Sequence, residues 1–157
     1  MAIETVKAYF KEHHMEDAVI EFTKSSATVE LAALALGCEP ARIAKTLSFY
    51  MGENAVLIVT AGDAKIDNQK YKEHFQEKAK MLKYEDVETL IGHGVGGVCP
   101  FAVNEGVAIY LDVSLKRFDT VYPAAGSANS AIALSLEALA FHSKALGWID
   151  VCKNWHA

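Results

Sequence analysis

The chain has 157 residues, 52% of them hydrophobic and 22% charged, the balance of one globular domain spanning 1–157 around a sizeable core. A formal net charge of -5 excludes a protein that coats nucleic acid through a uniformly basic surface. No run of about 18 apolar residues occurs, and the amphipathic start MAIETVKAYFKEHH lacks the apolar middle of a secretory signal, so a soluble, cytoplasmic protein with no membrane partner is expected.

Ile3, Val6 and Phe10 recur at the helical period and predict an amphipathic helix over 3–13, followed by a short strand over 18–22. Ser25, Ser26 and Thr28 offer N-caps, with Glu30 close behind, for a helix from Val29 to Leu36 that stops at Gly37. Glu39-Pro40 opens a second short helix, because proline is tolerated at a first helical position. Strands are predicted over 46–51 and 55–60, joined by the hairpin signature Gly52-Glu53-Asn54. Asp67 caps a lysine-rich helix over 69–78, and a helix with an acidic start covers 85–91. Further on, 107–111, 120–122 and 131–134 read as strands, 136–146 as a helix closed by Gly147, and 148–151 as a last strand. Helices and strands mix without a regular βαβ repeat, which predicts the α+β class: a mixed sheet flanked by helices.

Charge is uneven along the chain. Lys65, Lys70, Lys72, Lys78, Lys80 and Lys83 face only Asp67, Glu73 and Glu77 within their own segment, which makes it either a solvated helix face or a docking site for a phosphate backbone. Cys38, Cys99 and Cys152 show no CxxC spacing, so reduced thiols are expected rather than a disulfide framework or a zinc site.

Residues 92–102, GHGVGGVCPFA, carry four glycines and no formal charge. A phosphate loop does not fit, because GxGxxG is absent as a strand-to-helix unit and no GK[ST] follows. Cys99 with His93 as its base would make a nucleophile, although a cysteine beside valine and proline is more often a small buried hydrophobe. A third reading needs only backbone: successive glycine N–H groups converge on an oxygen that becomes negative as an ester is attacked, and Pro100 fixes the exit of the loop. Its alternative is a tight turn between a helix and a strand. In RIAKTLSFY, strand alternation puts Lys45 on the same side as Ile43, Leu47 and Phe49. An inward ammonium needs acceptors, a wet cleft or a lowered pKa, whereas a snorkelling lysine would need none of these.

Four stretches, SSATVELAALALGCEPARIAKTLSF, LIVTAGDAKID, GVGGVCPFA and VYPAAGSANSAIALSLEAL, run in order from Ser25 to Leu139. Through them the sequence resembles the YbaK/ProRS-associated family, aminoacyl-tRNA deacylases that act in trans or as an inserted editing domain of prolyl-tRNA synthetase. The resemblance implies a curved, mixed β-sheet wrapped by helices. It places Lys45 in an active site and has Gly96 and Gly97 contact the scissile ester, with Val98, Cys99 and Pro100 completing the loop. AGSAN, by position, supplies a second wall through Gly126, Ser127 and Asn129. Cys99 occupies a variable position of that loop, which lowers the nucleophile reading.

Such a site requires no cofactor and no metal. The implied partners are the acceptor end of mischarged aminoacyl-tRNA and prolyl-tRNA synthetase, with Cys- or Ala-tRNA(Pro) as substrate. Lys65, Lys70, Lys72, Lys78 and Lys80 become candidate tRNA contacts. Two rivals stand beside this reading: a non-catalytic module that binds tRNA ends or a synthetase, and a cysteine hydrolase acting through Cys99.

Overall fold

The computed structural model describes residues 2–155. Helix α1 (Ala2–Glu12) buries Val6 and Phe10 fully, as its periodicity requires. Strand β1 (Val19–Glu21) follows, then α2 (Val29–Leu36), whose two ends obey the local chemistry. The Thr28 side chain accepts from the Leu31 N–H at the start, and Gly37 takes the left-handed conformation at the end, with φ +69°. Pro40–Arg42 is one 3-10 turn that delivers the chain into β2 (Ile43–Met51).

Strand β2 returns antiparallel as β3 (Asn54–Ala61), in a register that sets Lys45 opposite Thr60 and Met51 opposite Asn54. Gly52 makes the hairpin turn at φ +61°. The remaining elements are β4 (Lys65–Ile66), α3 (Asn68–Phe75), α4 (Tyr84–Ile91), β5 (Ala108–Asp112), β6 (Thr120–Pro123), β7 (Ser130–Ile132), β8 (Leu134–Ser135), α5 (Leu136–Ser143), β9 (Trp148–Ile149) and β10 (Cys152–Lys153). Six strands form a mixed sheet in the order β8-β6-β2-β3-β5-β9. Two short antiparallel pairs, β1 with β7 and β4 with β10, close its flanks. This is the α+β arrangement expected, a curled mixed sheet with helices around it.

The run AVLIVTA in β3 is buried throughout, because the strand is covered on both faces. Leu57 packs with Val87 and Ile91 of α4, while Val56 and Ile58 belong to the larger core shared with Tyr71 of α3. Burial of each such aliphatic side chain stabilises the fold by about 1.5–3 kcal/mol. Asp112, fully buried, accepts from Ser114 N (2.9 Å) and Val151 N (2.9 Å), which ties the end of β5 to the C-terminal segment.

Several boundaries differ from the sequence reading. Helix α3 ends at Phe75, where Gln76 turns left-handed at φ +62°, so of the six lysines only Lys70 and Lys72 are helical. Lys78, Lys80 and Lys83 lie on an irregular segment leading to α4. Helix α5 closes at Lys144 rather than Gly147, because the Lys144 N–H already bonds back to Ala140 O and Phe141 O. The stretch 131–134 divides into β7 and β8, which pair with different strands.

Candidate active site

Strand β2 pairs with β6 only through Ile43 and Ala44. Further along, the segment 80–82 takes up the same edge: Tyr50 N donates to Lys80 O (2.8 Å), Leu82 N to Ser48 O (3.1 Å), and Phe49 bridges Met81. Between the two neighbours, Lys45, Thr46 and Leu47 are left to a cavity of about 540 Å³. The same cavity is lined by Val95, Gly96 and Val98 of the glycine segment. Lys45 and the glycine loop, 51 residues apart at Gly96, therefore share one crevice.

Lys45 is half-buried, and its Nζ donates to Gly62 O at 3.4 Å. Burial lowers its pKa below the ordinary lysine value; the nearby Asp63 and Glu30 carboxylates work the other way, and Lys65 adds to the lowering. Thr46 adds a second polar feature to the wall. Its hydroxyl oxygen is shielded and makes no hydrogen bond among the described residues. The rest of the lining is largely apolar, with Ala32, Ile43, Leu82, Val87, Ala124 and Ala131 among its residues.

The glycine segment starts where α4 stops, at Gly92 with φ +98°. Gly96 is left-handed at φ +92°, a conformation that a side chain would strain. The two predicted catalytic glycines have different surroundings. The Gly97 N–H donates to Gly94 O (3.0 Å) within the loop, and Gly97 is buried away from the lining. Among the described residues the N–H groups of Gly96 and Val98 have no hydrogen-bond acceptor, and both residues line the cavity. Bare amide hydrogens are thus present, but at 96 and 98 rather than at 96 and 97.

Cys99 and Pro100 lie behind the loop in the core instead of on the cavity wall. His93 does reach Cys99, with Nε2 3.5 Å from Sγ, but both are fully buried and His93 Nε2 is also 2.7 Å from Phe101 O. Burial pushes the Cys99 thiol up to about 12 and holds the His93 imidazole below its usual range. A thiol so shielded stays protonated and sees no solvent, the opposite of what a nucleophile needs.

The AGSAN wall is also displaced. Ser127 Oγ donates to Asn129 Oδ1 (2.9 Å) and lies within hydrogen-bond distance of Ser130 Oγ (2.7 Å), and Asn129 Nδ2 donates to Phe22 O (2.8 Å). Ser26 N donates to Ala128 O (2.6 Å), so this loop holds the segment 22–26 at the cavity rim. The residues that line the cavity are Ala124, Ser130 and Ala131, and Gly126, Ser127 and Asn129 are not among them.

Of the candidate tRNA contacts, Lys70 is engaged by Asp150 (3.1 Å) and Cys152 O (3.0 Å). Lys65, Lys72 and Lys78 are exposed away from the lining. Lys80 and Lys83 are exposed too, on the segment whose Met81, Leu82 and Tyr84 line the cavity. Those three apolar residues carry no charge signal; in the sequence they show only as interruptions of the lysine run KAKMLKY.

Comparison with known proteins places the fold in a family. A family model described as an aminoacyl-tRNA editing domain matches residues 23–141. The uncharacterized protein YwhH of Bacillus subtilis (strain 168) is 51% identical over 156 residues, 99% of both chains. A proline--tRNA ligase of Bacillus cytotoxicus is 27% identical over 109 residues, which cover 68% of this chain and 19% of the ligase. A crystal structure described as that of a candidate trans-editing enzyme for prolyl-tRNA synthetase superposes with a TM-score of 0.86 at 25% identity, covering 97% of each chain. The crystal structure of a hypothetical protein, APE2540, superposes at 0.78, with 25% identity over 91% of this chain and 99% of that one. With the family match spanning residues 23–141, most of its length, the chain belongs to the aminoacyl-tRNA editing domain family.

Proposed function

We propose that this protein hydrolyses the ester of mischarged aminoacyl-tRNA in trans, with Cys- or Ala-tRNA(Pro) as substrate. One observation carries the reading: Lys45 and two unbonded loop amides, those of Gly96 and Val98, belong to the same cavity. Ester hydrolysis passes through a tetrahedral oxyanion, and preorganised N–H donors in a site that excludes bulk water stabilise such a charge at little reorganisation cost. The loop amides fill that role. Lys45 orients the ester end and adds positive charge, while a positioned water or a substrate hydroxyl attacks. Serine-histidine-aspartate chemistry is not invoked.

The apolar lining suits a small side chain. A synthetase pocket shaped for proline rejects a residue lacking one or two methylenes by only about 1–3 kcal/mol, so a second hydrolytic site has errors to remove. For the acceptor end, Lys80 and Lys83 are the better placed lysines, with Tyr84, 76% exposed at the rim, as a surface on which a base can stack. Prolyl-tRNA synthetase is a further partner in this reading, supported by the match to a proline--tRNA ligase.

The test is a deacylation panel of several amino acids on several tRNAs. Release of alanine or cysteine from tRNA(Pro), lost in Lys45→Ala with the fold intact, supports the reading. Binding without turnover across the panel would instead make the chain a tRNA-end module.

A further inference from the structure

We infer that Asp63 and Arg117 form a positioning pair for Lys45, fixing the turn that accepts its ammonium and holding a counter-charge beside it. The consequence for rate rests on the deacylase reading; the electrostatic consequence does not.

The turn after β3 is gripped from two sides. A β-carbon on Gly62 would lie 2.0 Å from Pro40 O and 2.8 Å from Val29 Cγ1, so Gly62 sits directly against the Pro40 turn and α2. On the other side the Arg117 guanidinium forks onto Asp63, with Nη1 to Oδ2 at 2.9 Å and Nη2 to Oδ1 at 2.6 Å. Arg117 is itself fixed: Nε donates to Ser114 O (2.9 Å), and the guanidinium lies over Phe118 and Trp155 at 5.0 and 5.1 Å. Ser114 Oγ accepts from Ala61 N (3.1 Å), so the segment Val113–Arg117 holds both residues that flank Gly62. A bidentate guanidinium–carboxylate pair specifies direction as well as distance, which a single-point lysine contact would not. The Arg117 side chain is 15% exposed and that of Asp63 35%, so the guanidinium is sheltered while solvent still reaches the carboxylate.

What this arrangement serves is the atom between: Gly62 O accepts the hydrogen bond from Lys45 Nζ. The charged groups around that ammonium are Glu30 from α2, Asp63 from the turn, Lys65 from β4 and, through Asp63, Arg117. Cys152 of β10 is also close, but burial raises its thiol pKa and keeps it neutral, so it supplies no counter-charge. Asp63 is the carboxylate on the anchoring turn itself, and its grip by Arg117 keeps it ionised.

The experiment follows the Lys45 side chain by NMR in protein labelled at lysine Cε, with Lys45→Met to assign the signal. In Asp63→Asn the Lys45 titration should move to lower pH by roughly half a unit or more. Asp63→Ser gives the same reading should the amide fit poorly beside Arg117. Arg117→Lys, which keeps the charge but loses the fork, should lower kcat several-fold on an active aminoacyl-tRNA while the Lys45 titration stays in place. A Lys45 titration unmoved in both Asp63 variants overturns the inference, as does an unchanged kcat in Arg117→Lys. A wild-type protein inactive on the whole panel sinks the deacylase reading and leaves the NMR shift to decide this one.

Discussion

Gly97 rests on the backbone of Ser127: a β-carbon at position 97 would lie 2.8 Å from the Ser127 nitrogen and Cα and from the Gly126 carbonyl carbon. The glycine loop is therefore seated on the AGSAN loop, and that seating aims its neighbours, Gly96 and Val98, at the cavity wall. Gly97→Ala cannot be absorbed by a flexible side chain, because the obstacle is backbone. Overpacking of this kind costs about 1–3 kcal/mol. The variant should melt at lower temperature and lose deacylation beyond what the remaining folded fraction explains. Activity in proportion to the folded protein would show that the seating of the loop does not matter to the chemistry.

Lys45→Met should separate stability from activity. Burial holds the folded-state pKa of Lys45 below its unfolded value, so the unfolded chain binds more protons between those two pKa values and stability rises with pH across that window. Below it the charged lysine is a net cost to the fold. Removing the charge should raise the melting temperature at neutral pH, by an amount that shrinks as pH climbs toward the ordinary lysine pKa, while deacylation is lost. For the wild type, if the cation is the working form, the rate should fall at alkaline pH, beginning below the ordinary lysine range. Melting curves and pH–rate profiles check both.

Cys99 gives the opposite expectation. With its thiol at about 12 and no exposure, it should resist alkylation in the folded protein, and alkylating reagents should leave deacylation unchanged. Cys99→Ala should retain activity after correction for a modest loss of stability. Inactivation that tracks modification of Cys99 would restore the cysteine hydrolase.

Leu57 tests the scaffold behind the site. It is fully buried between β3 and α4, beside the Val87 that also lines the cavity. Leu57→Ala should destabilise the protein by about 2–5 kcal/mol. Chemical denaturation measures this directly.

Much of the fold was legible locally. Thr28 and Gly37 delimit α2 as their chemistry demands, and the Gly52 turn sets the β2–β3 pair, because caps and turns are decided by residues within one turn of chain. The end of α3 was not: its lysines remain good helix formers through Lys78, yet the helix stops at Phe75, with the ring packed against Tyr71 and Tyr110. Tertiary packing overrides a propensity worth tenths of a kcal/mol per residue.

The site divides the same way. Chemistry carried by residue type, a lysine in an apolar strand and a run of glycines, could be picked out from the chain alone, as could the family that its four stretches resemble. Which amides remain unbonded, which of two adjacent residues faces the cavity, and which lysines stand at its rim depended on strand pairing across the molecule. β2 has to lose β6 after Ala44 and gain the segment 80–82 at Ser48 before Lys45 has anything to face. Local sequence fixes what a residue can do, while long-range register fixes what it meets, since a shift of one residue turns every strand side chain to the other face.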